Sequence, residues 1–372
     1  MRIESTKDNL RRAVSFATKA TGKKLPLQIL GQILLEVKNK NFFIKATNLD
    51  LGIEIKVSGK IQGEGRVAVS GTLLENHLNN LPEQTMVTLE TTGNNLSITT
   101  PGSTTLITTL PAGDFPEIPH ILTKGEMSIS IDTSALVIGL RSVLYAASLT
   151  DLKPELSTVY LKGEEGELIF VATDSFRLAE KRITDQKFSP NEILEKGILI
   201  PLRNAVEIMR VLDESKGMTK VSFNKNQISF EAEGSYITSR LVEGPFPAYE
   251  HLLPKSFSTQ IVVLKEDLIS ALRLVSVFSD RFHQIGVKII SEDALFELHS
   301  KNQDAGEATV KIDATIEGEG LDISLNARYL SDCFQIISKD SVSLGFNGKD
   351  KALLLRMVGD RSFSYLVMPL HK

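Results

Sequence analysis

Three consecutive stretches of the chain, each roughly 115 to 130 residues long, repeat the same order of predicted elements. In each stretch a helix-like run, several strand-like runs, a second helix-like run and further strand-like runs follow one another. The helix-like runs lie at residues 9–19, 73–81, 134–147, 202–212, 266–277 and 327–337. A repeated module indicates duplicated structural units. It favours a geometric role, such as curving or encircling, over a single catalytic pocket.

Runs of alternating apolar and polar residues, typical of half-buried strands, lie between the helix-like runs. They are found at 42–47, 52–57, 86–90, 95–99, 168–172, 220–223, 287–290 and 352–357. The short links between them predict antiparallel pairing. Each module is therefore predicted to be an α+β unit in which two helices cover one face of an antiparallel sheet. Pro-rich segments close the first two modules, which predicts domains at 1–121, 122–253 and 254–372.

Composition places the chain among soluble globular proteins, with 42% hydrophobic and 24% charged residues. No apolar stretch approaches the roughly 20 residues that span a bilayer, and residues 1–7 lack the apolar core of a secretory signal. A single cysteine, Cys333, excludes an intramolecular disulfide framework and is interpreted as a buried small hydrophobe. These features predict a cytoplasmic protein without a membrane partner.

Charge is divided unequally between the predicted helices and strands. The formal net charge is −4, yet residues 5–24 carry six basic side chains against Asp8 alone. The helix-like segments together sum to about +6, so the rest of the chain is acidic. This distribution is expected if the helices face a polyanion and the strands face solvent. A solvated basic first helix explains the charge of that helix equally well.

The sequence contains no local signature of catalysis or of metal binding. Its six histidines are scattered without metal-ligand spacing, and neither a P-loop nor a nucleophile elbow occurs. Asp174 is a candidate general base, but a turn acceptor at the end of a strand is the favoured interpretation. We predict no catalytic residue, no metal and no cofactor. An enzyme whose site forms between modules, around Asp174 and Arg177, remains an alternative.

Four motifs in register carry a resemblance that covers the whole chain. They are LPLQIL at 25–30, VATDSFRLA at 171–179, GPFPAY at 244–249 and YLVMPL at 365–370. Together they resemble the bacterial DNA polymerase III β subunit, the sliding clamp. The resemblance implies three clamp domains that form half of a ring, with helices inside and sheet outside. Two chains would close the ring head to tail as a homodimer.

The resemblance also implies a function, that of a non-catalytic processivity factor for the replicative DNA polymerase. A closed ring cannot leave double-stranded DNA without opening, so weak and sequence-independent attraction to phosphates is sufficient and permits sliding. By resemblance, Lys24 and Lys23 lie in a loop that touches DNA. Position on the first helix adds Arg11 and Arg12 as further candidates.

A peptide-binding groove between the second and third domains is the second site that the resemblance implies. Short apolar motifs of the polymerase catalytic subunit, the clamp loader, repair polymerases and mismatch-repair factors are expected to insert there. The expected lining residues are Leu156, Thr173, Ser175, Phe176, Arg177, Leu178, Pro247, Leu252, Leu366, Met368, Pro369 and Leu370. Thr173 and Arg177 are expected to supply orienting polar contacts within an adaptable apolar wall. Phe176 stands where the family often has histidine, which predicts an altered preference among partner peptides.

The dimer interface is expected to join two surfaces of different modules. One comes from the late strands of the first module, near Ile107 and Leu110. The other comes from the end of the first helix of the third module, near Val277 and Phe278. A monomeric α+β binding scaffold, which uses the same groove but never encircles DNA, is the alternative that a native mass would distinguish.

Overall fold

The computed structural model of the chain describes residues 1–22, 27–121, 127–164, 166–184, 192–293 and 295–370. The chain folds into two compact units. The first takes its described residues from Met1–Val137, Lys187–Ile193 and Arg203–Val242. The second takes its described residues from Ile138–Gln186, Leu194–Leu202 and Glu243–Lys372.

Each module alternates helices and strands as the sequence predicts. The first module has the helices α1 (Lys7–Lys19) and α2 (Gly71–Asn79). Its strands are β1 (Arg2–Thr6), β2 (Ile33–Lys38), β3 (Asn41–Thr47), β4 (Leu51–Val57), β5 (Lys60–Gln62), β6 (Gly65–Val69), β7 (Met86–Thr92), β8 (Asn95–Thr100) and β9 (Ser103–Leu110).

The second and third modules follow the same order, except that the second contains one additional short helix that the sequence does not predict. The second has the helices α3 (Thr133–Val143), α4 (Glu192–Lys196) and α5 (Leu202–Leu212). Its strands are β10 (Met127–Asp132), β11 (Thr158–Glu164), β12 (Glu167–Thr173), β13 (Arg177–Thr184), β14 (Ile198–Pro201), β15 (Met218–Phe223), β16 (Gln227–Ala232) and β17 (Ser235–Arg240). The third has the helices α6 (Lys265–Ser276) and α7 (Ala327–Asp332). Its strands are β18 (Thr259–Leu264), β19 (Gln284–Ile290), β20 (Leu295–Asn302), β21 (Gly306–Ile312), β22 (Ala314–Gly318), β23 (Leu321–Asn326), β24 (Ser341–Phe346), β25 (Leu353–Met357) and β26 (Asp360–Val367).

Side-chain caps fix where several helices begin. The hydroxyl of Thr6 accepts the N–H of Asn9 at the start of α1, and the hydroxyl of Ser70 accepts that of Leu73 at the start of α2. The side chain of Asn326 accepts two N–H groups at the start of α7. Each cap satisfies donors that the first helical turn leaves without a partner.

Two helices end four or five residues earlier than the sequence predicts and continue as tighter turns. The run at 134–147 is helical to Val143 and continues as a 3-10 turn at Leu144–Ala146. The run at 327–337 ends at Asp332 and continues as a 3-10 turn at Cys333–Gln335. Such tightening is common in the last turn of a helix. Cys333 is fully buried, which confirms its interpretation as a core residue, and burial raises the pKa of its thiol.

The first unit contains one continuous antiparallel sheet. Its strand order is β10-β15-β16-β17-β4-β3-β2-β6-β9-β8-β7-β1-β5. Module one and module two meet in this sheet where β17 pairs with β4, with Ile237 opposite Ile53. The helix α1 buries Leu10, Val14 and Ala17, the positions that one helical face brings together.

The second unit contains two antiparallel sheets. The larger has the order β14-β11-β12-β13-β26-β25-β24-β18-β22, and the smaller has the order β21-β20-β19-β23. Modules two and three meet in the larger sheet where β13 pairs with β26, with Leu178 opposite Leu366. Because the second module contributes strands to sheets in both units, the three modules of the sequence form two compact units. None of the helices in the described ranges is long and apolar enough to cross a bilayer.

Candidate functional site

One cavity in the second unit brings together most of the residues that the sequence nominates for a groove. Its volume is about 580 Å³, within the range of ligand-binding pockets. The nominated residues that line it are Leu156, Thr173, Ser175, Phe176, Arg177, Leu178, Pro247, Leu252, Leu366 and Met368. Its other lining residues are Tyr249, His251, Pro254, Asn347, Asp350, Lys351 and Ala352. This cavity is the groove of the following paragraphs.

Pro369 and Leu370 do not line the groove, contrary to expectation. The chain passes the groove at Met368, whose N–H donates to the carbonyl of Phe176 at 2.8 Å. Two residues later the N–H of Leu370 donates to the carbonyl of Ser324 in β23, also at 2.8 Å. This second hydrogen bond ties the end of the chain to the smaller sheet, and Pro369 is buried.

The turn between β12 and β13 shapes one wall of the groove. One carboxylate oxygen of Asp174 accepts the N–H groups of Phe176 at 2.9 Å and of Arg177 at 3.0 Å. Asp174 is thus a turn acceptor, as the sequence favoured. The hydroxyl of Thr173 donates to the carbonyl of Arg177 at 2.6 Å and accepts the N–H of Ser175 at 3.1 Å. These bonds use the hydrogen and one lone pair of the Thr173 hydroxyl within the turn, so the orienting contact that we expected stays a prediction for its second lone pair.

Arg177 lines the groove and also makes ionic contacts within the protein. Its Nε donates to Asp174 at 3.0 Å, and its Nη1 forms an ion pair with Asp332 on α7. The guanidinium lies 4.6 Å from the ring centroid of Tyr329, within the range of a cation–π contact. Burial opposes the charge of Arg177, but Tyr365 and the two carboxylates outweigh that effect and raise its pKa. The Nε–H of Arg177 and one N–H of its Nη1 are engaged within the protein. The expected polar contact to a ligand stays a prediction for the other N–H groups of the guanidinium.

A buried polar network supports the floor of the groove. The hydroxyl of Tyr249 donates to Glu180 at 2.8 Å, and Arg182 forms a salt bridge of 2.9 Å with the other oxygen of the same carboxylate. Burial first, and then the Glu180 charge, raise the pKa of the Tyr249 hydroxyl. The ring of Phe246 stacks on Tyr160 at 4.6 Å and meets Tyr249 edge-on at 6.1 Å. Because each polar group of this network has a partner, the network holds Tyr249, which lines the groove, in a fixed position.

Apolar side chains remain exposed at the mouth of the groove. Phe176 is 58% exposed, Leu252 is 49% exposed and Met368 is 36% exposed. Apolar side chains that cluster in the open around a concave site are typical of an interaction surface. A polar edge faces them, since Asn347 and Lys351 lie in the connection between β24 and β25. The groove can therefore hold a short apolar ligand and contact polar groups at one side.

Ser175 occupies the left-handed region of the backbone, with φ of +79°. A residue with a Cβ pays about 1–2 kcal/mol for that conformation, whereas glycine pays little. We expect Ser175→Gly to raise the free energy of unfolding by about 0.5–1 kcal/mol, because the relief of strain exceeds the added flexibility of the unfolded chain. Urea unfolding of the variant measures the gain. Ser175→Ala is the control, since it removes the hydroxyl and keeps the strain; a Gly variant no more stable than this control would contradict the assignment.

The four residues nominated for DNA contact differ in their surroundings. Lys23 and Lys24 lie outside the described residues. Arg11 and Arg12 are exposed on α1. Arg12 forms a salt bridge of 3.0 Å with Glu214 and donates to the carbonyl of the same residue at 2.8 Å. The charge of Arg12 is therefore balanced within the protein, which makes Arg11 the stronger candidate of the two.

The nominated interface residues of the first module are largely covered by their own chain. Ile107 is 7% exposed, and Leu110 packs against the apolar cluster that contains Phe115. Because successive side chains of a strand point to opposite faces, Leu106 is the outward residue of β9, and it is 61% exposed. Leu73 on α2 is 58% exposed and lines the same surface pocket as Leu106. Exposure therefore favours Leu106 and Leu73 over Ile107 and Leu110 as interface residues.

The nominated residues of the third module divide in the same way. Val277 follows α6 and is 72% exposed, and Leu274 in the last turn of α6 is 57% exposed. Phe278 is partly buried, and its ring lies close to the turn at Gly306. Val277 therefore remains a candidate for an interface, whereas Phe278 contributes mainly to its own fold. Within the described residues, no group of three or more His, Cys, Asp or Glu side chains is arranged to hold a metal ion.

Family models match the chain in three consecutive segments. The N-terminal domain of the DNA polymerase III β subunit matches residues 1–119, its central domain matches 130–248 and its C-terminal domain matches 250–371. Among curated proteins, the β sliding clamp of Synechocystis sp. is 28% identical and the alignment covers 99% of each chain. The β sliding clamp of Staphylococcus aureus is 25% identical over 95% of this chain and 94% of the relative.

Solved structures show the same fold over the full length. The DNA polymerase III β subunit of Thermotoga maritima superposes with a TM-score of 0.92 and 27% identity, covering 100% of this chain and 99% of that chain. A sliding clamp from Pseudomonas aeruginosa bound to griselimycin superposes with a TM-score of 0.93 and 22% identity, covering 100% of both chains. The chain therefore belongs to the family of the bacterial DNA polymerase III β subunit, the sliding clamps, which are non-catalytic processivity subunits of the replicative polymerase.

Proposed function

We propose that this chain forms a homodimeric ring around double-stranded DNA and tethers partner proteins through the groove. Membership of the sliding-clamp family supports a role of this chain on DNA together with a DNA polymerase. The observation that supports the tethering is the groove itself, a largely apolar cavity of about 580 Å³ with exposed apolar side chains at its mouth. Titration of the chain with a fluorescent, capped peptide that carries two leucines and a phenylalanine tests it.

The partners are short linear motifs of the replicative polymerase catalytic subunit, the clamp loader, repair polymerases and mismatch-repair factors. An extended peptide with aliphatic and aromatic side chains suits the groove because its walls are apolar and adaptable. Met368 and Leu252 are both partly exposed, so their side chains can adopt different rotamers to fit different side chains of a peptide. At the polar edge, the exposed Lys351 offers a hydrogen bond to a carbonyl of the peptide, whereas the side-chain amide of Asn347 is bound to Ser256 and Ser258.

DNA contact is sequence-independent and comes from basic side chains. We propose Lys23, Lys24 and Arg11 as contributors, with Arg12 in a lesser role because Glu214 balances its charge. Attraction of this kind weakens as salt rises, since phosphate contacts release counterions. The ring, and not the strength of the contact, would keep the protein on DNA.

Dimer closure would bring Leu73 and Leu106 of one chain against Leu274 and Val277 of another. All four side chains are exposed and apolar, as a complementary pair of unlike surfaces requires.

We also propose domain boundaries after residues 121 and 253, in the Pro-rich segments. Action on chromosomal DNA would place the protein in the cytoplasm.

Phe176 is expected to change which peptides the groove prefers. Its ring is exposed at the mouth, where it adds apolar surface and offers no hydrogen bond. We expect Phe176→His to lower the affinity for peptides with an aromatic or aliphatic anchor by about three- to tenfold, relative to the affinity for peptides with a polar residue at the anchor position. The reason is that a partly buried apolar ring is exchanged for a polar one. Fluorescence titration with a set of anchor variants measures the preference. If wild type and Phe176→His rank the anchor variants in the same order and with the same differences in affinity, the proposed role of Phe176 is contradicted.

A further inference from the structure

His77 on α2 lines the shallow surface pocket that Leu73 and Leu106 share. The residue is partly buried, and its Nε2 atom is buried without a hydrogen-bond partner among the described residues. Buried polar atoms in folded proteins are nearly always hydrogen-bonded. A neutral imidazole can leave a ring nitrogen without a partner at a moderate cost. A protonated imidazole would place an N–H there with no acceptor, at a larger cost.

The elements around His77 offer no carboxylate to a protonated ring. Among the described residues no ion pair involves His77, and β9, which forms the other side of the pocket, carries no titratable side chain. On α2 the one acidic residue is Glu75, two positions away and therefore on another side of the helix. The helix α1 packs against α2, and its charged residues are Lys7, Asp8, Arg11, Arg12 and Lys19. Of these, Lys7 reaches the end of α2, where its ammonium donates to the carbonyl of Leu81.

The surface proposed to face this pocket in the dimer is also without an acidic side chain in its last two helical turns. Leu274 and Val277 form it at the end of α6, and Arg273, which is exposed, is the charged residue of those turns. Contact with that surface would remove the imidazole from water. A neutral ring packs against leucine and valine, whereas a charged ring loses its hydration and is repelled by a like charge. The carbonyls at the end of a helix attract a cation only weakly, so they do not offset that loss.

We propose that closure of the ring buries His77 in its neutral form, so that the dimer is stable at neutral pH and weakens as the pH falls. The inference rests on the proposed dimer and adds a regulation of it. Histidine is the side chain whose charge ordinarily changes between about pH 5 and 8. Because proton uptake by the free protomer competes with closure, the stabilisation is present above this range and is lost as the pH falls through it. Acidification would therefore release the protein from circular DNA.

Sedimentation velocity of the full chain at pH 7.5 and at pH 5.5, at one salt concentration, tests the proposal. A histidine in water is about nine-tenths neutral at the first pH and about one-tenth neutral at the second. A ring of two chains has two such interfaces. We therefore expect the dissociation constant of the dimer to rise by about a hundredfold, which is tenfold for each His77. Circular dichroism at both pH values checks that the protomer stays folded.

Three variants assign the pH dependence to one side chain. His77→Gln keeps a polar side chain that does not titrate, so its dimer should lose most of the difference between the two pH values. His77→Leu should also lose that difference, and it should dimerise at least as tightly as wild type because it buries more apolar surface. His120→Gln replaces a half-exposed histidine in the Pro-rich segment after the first module and should keep the full pH dependence.

The possible results separate the pH dependence from the dimer itself. A wild-type dimer that is equally strong at both pH values, or stronger at pH 5.5, overturns the inference while the dimer stands. The inference also fails if both His77 variants keep the weakening at pH 5.5, since other groups then cause it. If both variants are monomeric at pH 7.5, His77 makes a polar contact that closure requires, which contradicts its burial as an unpaired neutral ring. A wild type that is monomeric at pH 7.5 and micromolar concentration removes the proposed dimer, and the inference with it.

Discussion

Leu106→Arg is expected to convert a dimer of about twice 41.0 kDa into a monomer. Leu106 and Leu73 expose apolar surface around a shallow pocket of about 380 Å³ on the first unit. An unpaired guanidinium at the centre of an apolar interface costs about 3–5 kcal/mol, which weakens dimerisation by at least a hundredfold. Since Leu106 is exposed within the chain, the change leaves the fold of each protomer intact. Sedimentation equilibrium at micromolar concentration measures the mass.

Leu264→Arg is the matched control, because Leu264 is an exposed leucine at the opposite end of α6 from Val277, and it should remain dimeric. On the other surface, Val277→Arg should also separate the dimer. Phe278→Arg should lower the stability of the chain, because its ring is partly buried near Gly306. A Leu106→Arg variant that sediments as a dimer would contradict the proposed interface and support a different arrangement.

Leu252→Asp is expected to weaken peptide binding by about thirtyfold or more. The side chain of Leu252 lines the groove and is half exposed, so the substitution places a carboxylate beside the apolar side chains of the ligand. Removing that charge from water without a partner opposes binding, and a factor of thirty corresponds to about 2 kcal/mol. Fluorescence anisotropy with the labelled peptide that carries two leucines and a phenylalanine measures the dissociation constant.

Two control variants show whether a loss of affinity comes from the charge placed in the groove. Leu252→Met keeps apolar volume and should bind within about threefold of wild type. Met218→Asp introduces the same charge at another partly exposed apolar residue and should leave binding unchanged. Unaltered affinity of Leu252→Asp would show that the peptide does not use the groove.

The sequence is sufficient to predict the repeat, the fold class and most of the elements, because those depend on local patterns. Alternation predicts strands such as β3 and β4, and the helix at 202–212 has the predicted bounds. The face of β9 is harder to predict. Leu106 and Ile107 are adjacent apolar residues in a run of threonines, so alternation alone does not decide which of them faces the core.

Side-chain roles in the groove depend on partners that are distant in sequence. Arg177 is expected from its motif to contact a ligand, but its ion pair with Asp332 joins residues 155 positions apart and has no local signal. Tyr249 belongs to the GPFPAY motif but is not among the predicted lining residues. The structure places it in the lining of the groove, where its hydrogen bond to Glu180, 69 positions away, holds it.

The central claim is that the chain is held on DNA by topology. The most direct measurement loads the protein on nicked circular plasmid DNA, raises the salt concentration to about 0.5 M, and separates bound from free protein by gel filtration before and after a restriction enzyme cuts the circle. Salt removes most of the phosphate attraction, so a closed ring is expected to remain on circular DNA and to leave when the DNA becomes linear. Release from circular and linear DNA at the same salt concentration would show that the protein binds by charge alone and would contradict the account.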